Sequence, residues 1–289
     1  MDSYTDLKIE GAGPVALNQW HIVGALDDLP LGRPKQTQLL DIQVTLLRSA
    51  DGAVAATAGG RALPVRLKFG YAWTSLGQPA GELFDIPEYD EPDRRNMNAA
   101  SMGVYVSAPR AVENFLDLAH FAFVHTDYLG VEPHTEIRPY KVDVSAAGDE
   151  ILATKCIAYQ PMAALTATEG FDVEYVYRVP HPYCAILYKS CPVDLNRQDV
   201  ICLFLQPVSQ ERSIGHMLLS MLDAENSDKA LRGFQQLIFS QDKPILENQQ
   251  PKRLPLDMRT ELSVRADAGS STYRRWLKDR GVRYGTIPV

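Results

Sequence analysis

The sequence predicts an α+β fold in which a curved antiparallel sheet is crossed by one long helix, with a small β unit ahead of it. Three observations carry this. Short runs of β-branched and aromatic residues with strand-like alternation recur at 136–144, 150–159, 171–179, 185–190, 200–208 and 213–222. After Asn226-Ser227-Asp228, an N-cap signal, Ala230, Leu231, Phe234, Leu237, Ile238, Ile245 and Leu246 fall at helical spacing. The first 78 residues read as short strands separated by Gly and Pro turns. A chain of 289 residues with 45% hydrophobic content is long enough to bury a substantial core.

In chain order, Trp20 to Leu26, then Leu29-Pro30-Leu31-Gly32, a strand pair over 38–48 and a turn at Asp51-Gly52 make up the small β text. Residues 79–98, rich in Pro and acids, read as a linker, and 99–289 as the main domain. Gly233 and Pro244 weaken the long helix, and Pro244 predicts a kink beside Asp242, because it has no N–H to donate to the carbonyl of Ser240.

Composition narrows the function classes. A net charge of −7 with no basic face argues against nucleic-acid binding. No run of about 18 apolar residues is present, and residues 1–13 are polar and acidic, so neither a membrane span nor a signal peptide is expected and a cytoplasmic location is. Cys156, Cys184, Cys191 and Cys202 lack metal-ligand spacing and read as buried thiols. His21, His134, His181 and His216 likewise read as structural.

The stretch 113–130, ENFLDLAHFAFVHTDYLG, concentrates Asp117, His120 and His125 in apolar surroundings. Asp117 and His120, at i and i+3, share one face of a helix. His125 is off that face, since five residues turn an ideal helix through about 140° beyond a full circle, so a bulge or helix end must intervene if both imidazoles converge. Two neutral imidazoles and one carboxylate suit non-haem Fe(II) and dioxygen chemistry.

Asp-x-x-His-x-x-x-x-His after Glu113-Asn114, together with Phe239 to Gln250, FSQDKPILENQQ, resembles the mononuclear-iron motif of the Rieske non-haem iron oxygenases. The resemblance implies a helix-grip (START-like) catalytic domain, one Fe(II) held by His120, His125 and Asp242, and a catalytic role for Asp117, which in that family links the iron ligand to a neighbouring cluster-bound His and passes the electron. It also extends to the N-terminal strands, with a departure. Where the family has Cys-x-His and Cys-x-x-His, this chain runs from Val54 to Arg61 without ligands, so residues 1–78 resemble a Rieske domain without its cluster-binding lobe, and no [2Fe–2S] cluster is expected in this chain.

Within that family the missing lobe is similar to a group of N-demethylases whose reductase supplies the cluster. The expectations are oxidative N-demethylation of a methylxanthine, 7-methylxanthine in particular, using dioxygen and an NAD(P)H-dependent reductase with an extra Rieske domain, in a homotrimer or larger complex. Gln235, Ile238 and Phe239, just ahead of Asp242, are candidate substrate contacts. The same resemblance would also fit another Rieske-type aromatic or heterocycle oxygenase subunit, the same ligand set a zinc hydrolase, and the fold alone a non-catalytic ligand-binding module.

Overall fold

A computed structural model of the chain describes residues 9, 11–79, 81–162, 169–191, 194 and 196–289. After one helical turn, α1 (Pro14–Leu17), come seven short strands: β1 (His21–Ala25), β2 (Pro34–Leu39), β3 (Ile42–Arg48), β4 (Val54–Ala58), β5 (Arg61–Leu63), β6 (Val65–Lys68) and β7 (Tyr71–Thr74). They form a three-stranded sheet in the order β1-β7-β6 and a four-stranded meander, β2-β3-β4-β5.

The large sheet is antiparallel and seven-stranded, in the order β8-β14-β13-β12-β11-β10-β9. Its strands are β8 (Arg95–Val104), β9 (Lys141–Val144), β10 (Ile151–Gln160), β11 (Phe171–His181), β12 (Cys184–Ser190), β13 (Gln198–Ser209) and β14 (Arg212–Met221). The meander from β9 to β14 follows the predicted runs, except that β9 begins at Lys141 rather than at residue 136. Pro139, which has no N–H for a ladder, precedes that start. β8 begins at Arg95, inside the stretch whose polar composition reads as linker; only Met97, Ala99 and Val104 along it are buried.

Alternation along β12 and β13 decides the layering. Cys184 and Ile186, with Val200, Cys202 and Phe204, turn to one face and pack against Trp20, Ile22, Tyr71 and Trp73 of the N-terminal strands. Ala185 and Leu187, with Leu203 and Leu205, turn to the other face, where the helices lie. Both faces are therefore covered, which is why these strands read as nearly continuous apolar text. Cys184 and Cys202 are packing residues of the first interface.

The long helix is α4 (Asp228–Asn248). Helices α2 (Ala108–Leu116), α3 (Phe121–Val124), α4 (Asp228–Asn248) and α5 (Ala268–Asp279) cover the second face. Ser227 caps α4 by accepting from the Ala230 N–H, as the sequence signal implies. The helix continues through Gly233 and Pro244 to Asn248. Burial of Leu231, Ile238, Phe239 and Leu246, worth roughly 1.5–3 kcal/mol each, outweighs the roughly 3 kcal/mol a mid-helix proline costs.

A buried ion network fixes the end of α2 beside the site. Glu113 accepts from Arg110 Nη1 at 2.9 Å and from Arg274 Nη2 of α5 at 3.0 Å, and Glu261 accepts from Arg110 Nη2 at 2.7 Å. The two guanidiniums hold the Glu261 carboxyl down to about 2 against the opposing effect of its partial burial. No helix among the described residues is long and apolar enough to cross a membrane.

Candidate metal centre

Helix α2 stops at Leu116, and Asp117 is extended, with φ −84° and ψ 123°. The chain then turns through His120 into the four-residue α3, which His120 precedes and His125 follows. Asp117 and His120 are therefore not on one face of a single helix, because α2 ends before Asp117, while the helix end expected between His120 and His125 is the end of α3 at Val124. Past His125, Asp127 takes a left-handed φ of 70° and its N–H donates to Gly130 O at 2.9 Å, folding the loop back on α3. Gly130 lies so close that a Cβ would sit 2.6 Å from the backbone nitrogen of Ala122.

These turns bring the ligand candidates together with Asp242 from α4. His120 Nε2 and His125 Nε2 are 3.1 Å apart, and Asp242 Oδ1 lies 3.3 Å from the first and 3.1 Å from the second. Burial opposes a charge on His120, yet the Asp117 and Asp242 carboxylates more than offset it and hold the imidazolium up to about 9. Asp242, despite its own burial, is held down to about 2 by the adjacent His120 and His125 rings. Two nitrogen donors and one oxygen donor within 4.8 Å fit a divalent transition metal, and among the described residues this is the group of such donors able to hold one.

The surroundings orient each donor. Asn114 Nδ2 donates to Asp242 Oδ1 at 3.1 Å, and His125 Nδ1 lies 2.9 Å from Gln241 Oε1, so the His125 proton sits on Nδ1 and Nε2 faces inward. Asp117 Oδ2 lies 3.3 Å from His120 Nδ1, near enough for an ion pair but without the alignment of a hydrogen bond. Its Oδ1 accepts from the Ala119 N–H at 2.7 Å. The Asp117 side chain, 29% exposed, reaches a polar surface recess with Glu261, Ser263 and Ser270. Sequence reasoning missed the part played by Gln241, which carries no signal beyond standing next to Asp242.

On its other side the cluster opens into a cavity whose water-accessible volume is about 80 Å³. Gln235, Ile238 and Phe239 line it, one or two turns before Asp242 on the same helix face. Phe115, Phe121, Tyr175, Leu187 and Leu203 supply apolar wall, and Lys189, which sequence reasoning passed over, lines it as well. His21, His181 and His216 are buried and His134 stacks on Tyr159 at 4.0 Å, all away from the cluster. The four cysteines are buried and form no disulfide.

Residues 104–282 match the family model described as the vanillate O-demethylase oxygenase C-terminal domain. The chain is 48% identical over 272 residues to the probable methylxanthine N7-demethylase NdmC of Pseudomonas sp. (strain TJI-51), covering 93% of this chain and 96% of that one. It is 25% identical over 215 residues to the methylxanthine N1-demethylase NdmA of Pseudomonas putida, covering 73% of this chain and 58% of that protein. The solved structure of Pseudomonas putida CBB5 NdmA superposes with a TM-score of 0.74 at 19% identity, over 91% of this chain and 90% of that one. Dicamba monooxygenase bound to 3,6-dichlorosalicylic acid superposes with a TM-score of 0.75 at 17% identity, over 93% and 98%. At those identities the two structures speak for the fold alone.

Proposed function

The chain belongs to the Rieske-type N-demethylase oxygenases, and on that premise we propose that it is the oxygenase component of a methylxanthine N-demethylase, with Fe(II) held by His120, His125 and Asp242. The observation that carries this is the convergence of those three donors on the wall of an apolar cavity. The substrate is 7-methylxanthine, a choice supported by the 48% identity to the probable N7-demethylase.

Bound iron would supply activation of dioxygen, which its open coordination positions permit. The chain's own residues do the positioning. His125 is kept in one tautomer by Gln241, Asp242 is aimed by Asn114, and the wall of Phe115, Phe121, Leu187 and Phe239 excludes water and offers flat apolar faces to a purine. The balanced reaction takes the N-methyl group, dioxygen, two electrons and two protons to an N-hydroxymethyl group and water. The C–N bond of the N-hydroxymethyl group then breaks to release formaldehyde, and the hydroxyl proton passes to the ring nitrogen.

The two electrons come from NAD(P)H through a partner reductase carrying a Rieske [2Fe–2S] cluster, and we assign Asp117 to their last step. Its carboxylate lies 3.3 Å from His120 Nδ1, the ring nitrogen that does not face the other two donors, and it remains partly exposed. The test is turnover: iron-loaded chain, NAD(P)H, dioxygen, 7-methylxanthine and such a reductase should release one formaldehyde per xanthine formed. A flavin reductase without a Rieske cluster should support none. Multiple turnover with that simpler reductase would overturn the partner assignment.

A further inference from the structure

Lys189 occupies a position where the pattern of the sheet calls for an apolar side chain. On β12 it follows Ala185 and Leu187 on the helix-facing side, pairs in register with Tyr175 of β11 and Asp199 of β13, and lines the cavity that holds His120, His125 and Asp242. An ammonium that lines a cavity together with Leu187, Ile201 and Leu203 carries a desolvation cost. Asp199, directly across the strand pair, offsets part of that cost, although its Oδ1 also accepts from the Leu222 N–H at 2.8 Å. Burial pushes the ammonium down to about 8, with Asp199 opposing, so at neutral pH it remains largely a charged donor.

Its place relative to the metal donors is well defined. The Tyr175 ring packs 6.0 Å from that of Phe121, and the Phe121 ring stands 5.0 Å from that of His120 and 6.0 Å from that of His125. Lys189 is one strand beyond Tyr175, about 4.8 Å further along the sheet. The cation and the metal donors thus share one chamber, separated by one strand and two aromatic rings. A ligand in it would meet the metal donors, apolar faces and this cation.

We propose that Lys189 is a specificity-determining residue, whose ammonium donates to a ring carbonyl oxygen of the bound methylxanthine and so fixes which N-methyl carbon faces His120, His125 and Asp242. This rests on the methylxanthine reading above. A methylxanthine carries its carbonyl oxygens on the six-membered ring, whereas the N7 methyl lies on the five-membered ring. The C6 oxygen flanks N7 whereas the C2 oxygen lies at the opposite end, so a donor to the C2 oxygen distinguishes the two ends of the molecule. Gln235, on α4, donates its amide to the Met217 sulfur at 3.8 Å, a weak acceptor that a second substrate polar group can displace.

The experiment uses the iron-loaded full chain under anaerobic conditions, with 7-methylxanthine binding measured by equilibrium dialysis for wild type, Lys189→Met, Lys189→Gln and Lys189→Arg. Loss of a charge-assisted hydrogen bond should weaken binding by Lys189→Met and Lys189→Gln roughly 10- to 100-fold, with Lys189→Arg recovering most of it and iron content unchanged in all three. In reductase-driven turnover the substitutions should raise KM more than they lower kcat, and 3,7-dimethylxanthine should lose its single demethylation product for a mixture. If Lys189→Met fails to fold, Lys189→Gln decides. A folded, iron-loaded variant without the ammonium that binds like wild type and keeps one product overturns the lysine assignment alone. Failure of the wild-type chain to bind any methylxanthine overturns the substrate reading and this inference together.

Discussion

Asn114 Nδ2 donates to Asp242 Oδ1 at 3.1 Å, joining the end of α2 to the middle of α4 across 128 residues of sequence. The same oxygen faces both imidazoles, so the amide sets the direction from which Asp242 meets the metal position. Asn114→Ala should lower Fe(II) affinity roughly 10–100-fold while leaving the fold intact, the usual scale for losing a partner of a ligand. Anaerobic Fe(II) titration reads this out, and an unchanged affinity would contradict the orienting role.

Asp117 makes a different prediction because it sits behind His120 rather than beside the metal position. Asp117→Asn should retain iron and substrate binding while losing reductase-driven turnover, since a charged acceptor on the electron path has been neutralised. If Asp117 only orients His120, iron affinity should fall instead. Iron content and single-turnover electron transfer in the same preparation separate the two. Iron loss with normal transfer in the loaded fraction rejects the electron-path role.

Gly130 bears on geometry alone. An added Cβ would meet the backbone of Ala122 at 2.6 Å and cannot be relieved by rotating a side chain, so Gly130→Ala must displace α3 and the two histidines at its ends. The expected outcome is a loss of Fe(II) affinity of at least about tenfold with modest destabilisation, about 1–3 kcal/mol, as for overpacking elsewhere. Wild-type iron affinity in a folded Gly130→Ala protein would show that the loop tolerates the shift.

Much of this was legible in the sequence, for identifiable reasons. The six meander strands follow the alternation of their own residues, and α4 announces itself through Ser227 and its apolar spacing. His120 and His125 stand out because two imidazoles in an apolar segment are uncommon, but their convergence depends on the extended backbone at Asp117, which no periodicity reports. β8 was obscured because its start, Arg95-Asn96-Met97-Asn98, is polar where a strand at a sheet edge faces outward. Asn114 and Gln241 act through contacts between α2, α3 and α4, and Lys189 through a register with β11 and β13, none of which is a property of local sequence.

Stability should fall on acidification before the carboxylates titrate. Burial lowers His21 to about 4 and His216 to about 3, and it lowers His181 as well. Each is neutral in the folded chain, so below about pH 6.5 the unfolded chain takes up protons that the folded chain refuses. Their contribution is complete above 6.5 and is lost as pH falls toward the folded values, about 3 kcal/mol for His21 alone by pH 4. In metal-free protein the raised value of His120 acts with the opposite sign between about 6.5 and 9, outside this window. Urea unfolding of chelator-treated protein at pH 7, 6, 5 and 4.5 should show a falling midpoint. A flat profile would mean that these histidines are protonated in the folded state.

Iron stoichiometry is the most direct test that His120, His125 and Asp242 form the metal centre. Protein purified anaerobically and loaded with Fe(II) should hold one iron per chain after desalting, and Asp242→Ala, His120→Ala and His125→Ala, each shown to be folded by circular dichroism, should hold close to none. One iron per chain in folded Asp242→Ala would place the metal elsewhere and contradict the proposed centre.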